Sequence, residues 1–260
     1  PKESDSIIKW LDGQESCIQD FPKGTGHAVK AAKDKLADFQ GVALVMFADT
    51  PLVTAKTLAS LANAVADGSD IAVLAFEANN PKGYGRLVIG ADQCLEKIVE
   101  QTDATNAERA ISLVNGGVMA VRCPLLFELL EEVKPDNEKA ELYLTDIVAI
   151  ANTKSLTVTY RTTEEQEIVG VNSRQDLANV EAILQDRLRD SAMSQGVTMR
   201  APETVFLSAD ASFGRDVIIE PHVVIGAGTV IGDGSVIKSF SHIEGTILGA
   251  CCIIGPYARL

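Results

Sequence analysis

From Leu207 onward the chain carries a large apolar residue at every sixth position: Leu207, Phe213, Ile219, Ile225, Ile231, Ile237 and Ile243. The register slips by one to Leu248 and resumes at Ile254. Small residues follow many of these positions, among them Gly214, Gly226, Gly232 and Gly255. A strand repeats every second residue and a helix every ~3.6, so neither period produces six. A hexad fits one short flat strand and a tight corner, and three hexads close a triangular coil of about 18 residues. Stacking such coils buries the apolar position of each hexad. The expectation for residues 197–260 is therefore a parallel β-helix. An ordinary antiparallel sheet with glycine turns does not require seven matches in phase.

The first half has another rhythm. The runs "VALVMF" (42–47) and "DIAVLAF" (70–76) are continuously apolar, as parallel strands covered on both faces should be. Helical patterns surround them. One is "GHAVKAAKDKLADF"; another is "TAKTLASLANAVADG", with Thr54 as its N-cap and Gly68 as its stop. Alternating strands and helices imply an α/β sheet across residues 1–172. Residues 173–196 read as a connecting helix. Leu177, Val180, Leu184 and Leu188 share one face, Ser173 and Asp176 form a cap signal, and Gly196 ends the run.

Composition narrows the function. The 260 residues carry a net charge of −13, which argues against a nucleic-acid partner. No apolar run approaches the ~20 residues of a membrane span, and no signal peptide is legible. Five cysteines with no CxxC spacing suit reduced thiols and a cytoplasmic location. His27, His222 and His242 are too scattered for a zinc site. No GxSxG, HExxH or Walker loop is present, so nucleophilic catalysis is not indicated.

Polar residues instead collect at element ends, where an α/β sheet assembles its sites. Asp49 follows the first apolar run and could hold Mg²⁺ against phosphate oxygens, or simply cap a turn. Gly24, Thr25 and Gly26 form a bare turn ahead of a helix, which fits either a tight bend or a backbone approaching a ligand. Gly83 and Gly85 flank Tyr84, Glu100 ends a strand, and Asn115 precedes two glycines. Thr145 and Asp146 start a helix, and Asn172 precedes the connecting helix. Each alone has an ordinary capping or turn explanation.

The ordered set "GTGHA", "DTPL", "PKGYGRLV", "IVEQTDA", "NGG", "LYLTDI" and "GVNSR", followed by hexads, resembles one family. It is the bacterial bifunctional N-acetylglucosamine-1-phosphate uridyltransferase / glucosamine-1-phosphate acetyltransferase family. The resemblance implies a Rossmann-like nucleotidyltransferase domain, a linker helix and a truncated left-handed parallel β-helix. It implies Mg²⁺-dependent transfer of UMP from UTP to N-acetylglucosamine 1-phosphate, and trimers formed through the β-helix. Acetyl-CoA would be a substrate only of the complete protein, and no acetyltransferase residue is assigned. By motif, Gln19, Gly24, Thr25, Phe47, Ala48 and Asp49 would face the nucleotide. Gly85, Glu100, Asn115, Thr145 and Asn172 would face the sugar, and Asp49 with Asn172 would hold the metal. The alternatives are another sugar-1-phosphate nucleotidyltransferase and a non-catalytic trimerising fragment.

Some positions depart from the family text. Phe47–Ala48 stands where Tyr–Gly is common, Thr102 where a lysine is frequent, Gly116 where a hydroxyl residue is usual, and Leu142 where a tyrosine is usual. The family's opening strand, its L-x-A-G-x-G-T-R-M loop and its P-K-V motif are not in the sequence. The chain is thus expected to be a fragment, and its sheet to expose a pairing edge.

Overall fold

The computed structural model describes residues 8, 11, 13–91 and 94–260. The chain divides into two compact units between Gly170 and Val171.

The first unit is built on a six-stranded mixed sheet. Its strands are β1 (Val42–Val45), β2 (Ile71–Glu77), β3 (Arg86–Ile89), β4 (Leu95–Val99), β5 (Leu113–Arg122) and β6 (Val158–Thr162). The order is β4-β3-β5-β2-β6, and β1 also pairs with β5. β2 explains the core. Ile71, Val73 and Ala75 point to one face, against α4 (Cys123–Glu132) and α5 (Asp146–Thr153). Ala72, Leu74 and Phe76 point to the other, against α2 (Ala55–Ala66). An unbroken apolar strand needs cover on both faces, and these helices supply it. α2 begins as the sequence implies: the Thr54 hydroxyl accepts from the Thr57 N–H, and Gly68 follows its end at φ 119°. Glu167 adds a carboxylate there, accepting from the Thr54 N–H at 3.2 Å and the Thr57 hydroxyl at 2.7 Å. Negative charge at a helix N-terminus is stabilising.

Two expectations for this unit change. The first helix, α1 (Thr25–Lys30), is short and gives way to a 3₁₀ turn at Asp34–Leu36. There Leu36 leaves the helical path to pack on the core, and its carbonyl lies 3.8 Å from the Cys123 thiol. β1 is apolar on both faces but is not covered on both. It pairs antiparallel with β5, and Leu44 stays 40% exposed. Its other edge has no partner among the described residues.

The second unit is a solenoid of about three turns, and it fits a left-handed β-helix. Ten short strands run from β7 (Thr198–Met199) to β16 (Ile253–Ile254) and form three parallel sheets, β7-β10-β13-β16, β8-β11-β14 and β9-β12-β15. Hexad residues face inward: Leu207, Ile219, Ile225, Ile231, Ile237 and Ile243 are buried and Phe213 partly so. The slip appears as Ile231↔Leu248 and Ile237↔Ile254, one residue short of the Ile219↔Ile237 spacing. Corners need left-handed backbone, and His222, Phe240 and Tyr257 take φ 61° there. Their rings stack with centroids 5.0 and 5.4 Å apart.

Helix α6 (Arg174–Ser194) starts from a reciprocal Ser173/Asp176 capping box. Its buried stripe matches the expected face only in part: Val180 is buried and Leu188 packs on the solenoid core. Leu177 is 54% exposed, while Gln185 and Arg189 are buried beside Val180 and Ala192. The reason lies in what the helix packs on. Gln185 donates to the Leu207 carbonyl at 2.8 Å and accepts from its N–H at 2.9 Å, and Arg189 donates to the Val205 carbonyl at 3.0 Å. The helix covers exposed strand backbone of the first coil, which calls for polar partners.

Candidate active site

β3, β4 and β5 bring three of the singled-out residues to one place. The Asn115 N–H donates to the Gly85 carbonyl at 2.8 Å. A Cβ on Gly85 would lie 3.0 Å from Ile98 Cγ2 and 3.4 Å from Glu100 Oε1, so glycine here lets the turn lie close against the end of β4. The Thr145 hydroxyl, buried at the start of α5, donates to Glu100 Oε1 at 3.0 Å. Burial raises the Glu100 pKa; the Thr145 hydrogen bond and Lys139 oppose the rise, and Asp103 adds to it. Asp146, next along α5, is pushed up to about 6 by burial, then by Glu100 and Asp103. Asn115 Oδ1 accepts from the Gly117 N–H at 3.1 Å, and Gly117 (φ 74°) has the Phe47 ring against it, 2.8 Å from where a Cβ would stand.

The same segment that carries Thr145 holds the glycine turn. The Gly26 N–H donates to the Leu142 carbonyl at 2.8 Å, the Leu142 N–H to the Lys23 carbonyl at 2.8 Å, and the Leu144 N–H to the Thr25 hydroxyl at 2.9 Å. A Cβ on Gly24 would stand 2.6 Å from the Leu142 carbonyl oxygen. The close approach that this bare turn permits is therefore to a backbone of the same chain. Gln19 joins the turn through Nε2, 3.4 Å from the Gly24 carbonyl and 2.8 Å from His27 Nδ1.

Gln19, Gly24, Thr25, Phe47, Gly85, Glu100, Asn115 and Thr145 thus form one connected set. Ala48 and Asp49 lie in the exposed turn after β1, where the Thr50 hydroxyl donates to the Phe47 carbonyl at 3.1 Å. The Asp49 carboxylate makes no hydrogen bond or ion pair among the described residues. Asn172 belongs to the second unit, is exposed, and donates its backbone N–H to Asp176 Oδ2 at 3.1 Å. No group of three or more His, Cys, Asp or Glu that could hold a metal occurs among the described residues. One uncommitted carboxylate still fits Mg²⁺, which keeps several waters and takes its other oxygens from substrate phosphates.

Sequence reasoning missed Arg86 and Tyr143 as buried residues of this region. The only signal for Arg86 is its place directly after the Gly83–Tyr84–Gly85 turn.

A mixed α/β sheet that gathers polar groups at its strand ends is a scaffold on which nucleotide sites are commonly built. The nucleotidyl transferase family model matches residues 10–164, and the chain belongs to that family. Its relatives carry a more particular name. It is 46% identical to the bifunctional protein GlmU of Hyphomonas neptunium over 242 residues, covering 93% of this chain and 52% of the relative. It is 50% identical to that of Roseobacter denitrificans over 237 residues (91% and 52%) and 45% identical to that of Sphingopyxis alaskensis over 261 residues (99% and 58%). The chain spans about half the length of the curated relatives it matches.

Proposed function

We propose that this chain carries the uridyltransferase half of a bifunctional enzyme, joining UTP and N-acetylglucosamine 1-phosphate into UDP-N-acetylglucosamine with release of pyrophosphate. The observation that carries the reading is the linkage of Gly85, Glu100, Asn115 and Thr145 into one cluster, tied through residues 142–145 to the Gly24–Thr25 turn. One cluster offers hydroxyl-binding acceptors and an amide for a sugar; the turn beside it would face the nucleotide.

Phosphoryl transfer needs alignment and charge neutralisation more than covalent help. An oxygen of the sugar phosphate attacks the α-phosphorus of UTP in line, the bond to the β-phosphate bridging oxygen breaks, and pyrophosphate leaves. Glu100 accepts from sugar hydroxyls while Thr145 fixes its orientation, and the free amide of Asn115 donates. Asp49 would hold Mg²⁺, and the ion would supply the positive charge that a protein of net charge −13 otherwise lacks beside two anions. The uridine base would lie on Gln19, Gly24 and Thr25, with Phe47 and Ala48 alongside.

The partners of this reading are the two substrates and two further copies of the chain. Outward-facing Ile218, Val236 and Ile253 form one apolar column on the solenoid, and Val230 with Ile247 form another. Such columns suit a trimer contact. Among the described residues no helix is long and apolar enough to cross a membrane, and a cytoplasmic site suits five cysteines with no CxxC spacing. Acetyl transfer from acetyl-CoA belongs to the complete protein.

The test is pyrophosphate release from UTP, Mg²⁺ and the sugar phosphate, in a chain extended to its relatives' full length. Asp49→Ala should reduce turnover by roughly a hundredfold or more with the fold intact. Near-normal turnover would refute the metal role. Preference for a different nucleoside triphosphate would favour another sugar-phosphate nucleotidyltransferase.

A further inference from the structure

Arg86 opens β3 and is only 1% exposed. No carboxylate pairs with it among the described residues. Its Nη1 donates to the Tyr84 carbonyl, and its Nη2 donates to Gln101 Oε1 at 2.8 Å and to the Arg109 carbonyl at 3.5 Å. Its Nε–H is buried without a partner. A cation held in the interior by neutral acceptors alone is unfavourable, and an apolar residue of similar volume would avoid that penalty.

Its neighbours supply a reason for it. The Gln101 Oε1 that receives Nη2 also accepts the Gly83 N–H at 3.1 Å. The guanidinium fork therefore joins the Gly83–Tyr84–Gly85 turn to the residue after Glu100. Arg86 is also in register with Val99 of β4 and Val114 of β5. Gly85, Glu100 and Asn115 each lie one residue from a group that Arg86 follows, bonds or pairs with. A lysine could keep the charge but not the planar fork.

The geometry points to Arg86 as the positioning residue of the sugar subsite, setting the spacing between the Gly83–Gly85 turn and the Glu100–Gln101 strand end. This rests on the reading of that cluster as a sugar-phosphate site. The Tyr84 ring, edge-on to Phe76 with centroids 5.1 Å apart, anchors the turn on its other side, so the fork governs its distance from Glu100 rather than its presence.

Two measurements on the chain test this, using Arg86→Lys, Gln101→Met and the double variant. Hydrogen exchange reads the Gly83 amide, and calorimetry reads binding of N-acetylglucosamine 1-phosphate and of UTP. Arg86→Lys should exchange at Gly83 at least tenfold faster and lose sugar-phosphate affinity by roughly ten- to a hundredfold, with UTP affinity unchanged. Gln101→Met should act in the same direction, and the double variant should be no worse than the weaker single, as for residues acting as one unit. Gly83 exchange unchanged in Arg86→Lys, or equal losses for both ligands, would overturn the proposal. If Arg86→Lys does not fold, Gln101→Met carries the same comparison, because Gln101 is only partly buried. A wild-type chain that ignores the sugar phosphate would count against the uridyltransferase reading, while the exchange result would still decide the clamp.

Discussion

Gly24 combines φ 100° and ψ 174° with the Leu142 carbonyl close beside it. That backbone region is open essentially to glycine alone. Gly24→Ala should therefore destabilise the first unit by about 2–4 kcal/mol, from backbone strain and overpacking together, as read by urea denaturation. Asp146 gives a second residue-level test. Its folded pKa of about 6 lies above its ordinary 3.8, with burial the leading cause. The folded state thus holds the proton more tightly than the unfolded chain, so stability falls as pH rises from about 4 to 6 and stays low above that. The group is about half exposed, and after discounting for solvent the effect is on the order of 1 kcal/mol. Asp146→Asn should flatten the melting temperature across that window and raise it near pH 7. At this scale the sequence reached residues named by motif. Gly85, Glu100, Asn115 and Thr145 stand out in the sequence because their neighbours spell a recognisable text, and the structure brings them together. Arg86 does not, since a charged residue after a glycine turn reads as solvent-facing until Gln101 and the Arg109 carbonyl are brought to it.

Elements were legible where burial follows a simple period. The hexads specify inward positions one by one, including the slip at Leu248, and the double-faced burial of β2 follows from its unbroken apolar run. Helix α6 misled because an apolar face presumes an apolar surface to meet. Here part of the opposing surface is strand backbone, so Gln185 and Arg189 are buried beside it, while Leu188 and Ala192 still pack on the solenoid core. Gln185→Leu should leave the Leu207 N–H and carbonyl unpaired and cost about 2–4 kcal/mol. Hydrogen exchange at Leu207, speeding up while β2 amides keep their protection, would register the loss as confined to the solenoid.

At the scale of the molecule two forces oppose each other. The charge of −13 keeps copies apart, but only over a Debye length, about 10 Å at 0.1 M salt and about 3 Å at 1 M. β1 acts in the other direction. Its apolar run implies a covered strand, and nothing in residues 42–47 alone could reveal that one edge has no neighbour among the described residues. An unfinished edge of this kind is a template for another strand. Sedimentation should find the chain increasingly self-associated as salt rises, and Leu44→Lys should suppress this. The practical solubility of the protein would then be decided by a handful of residues at one margin of the sheet, with ionic strength as the switch between repulsion and stickiness.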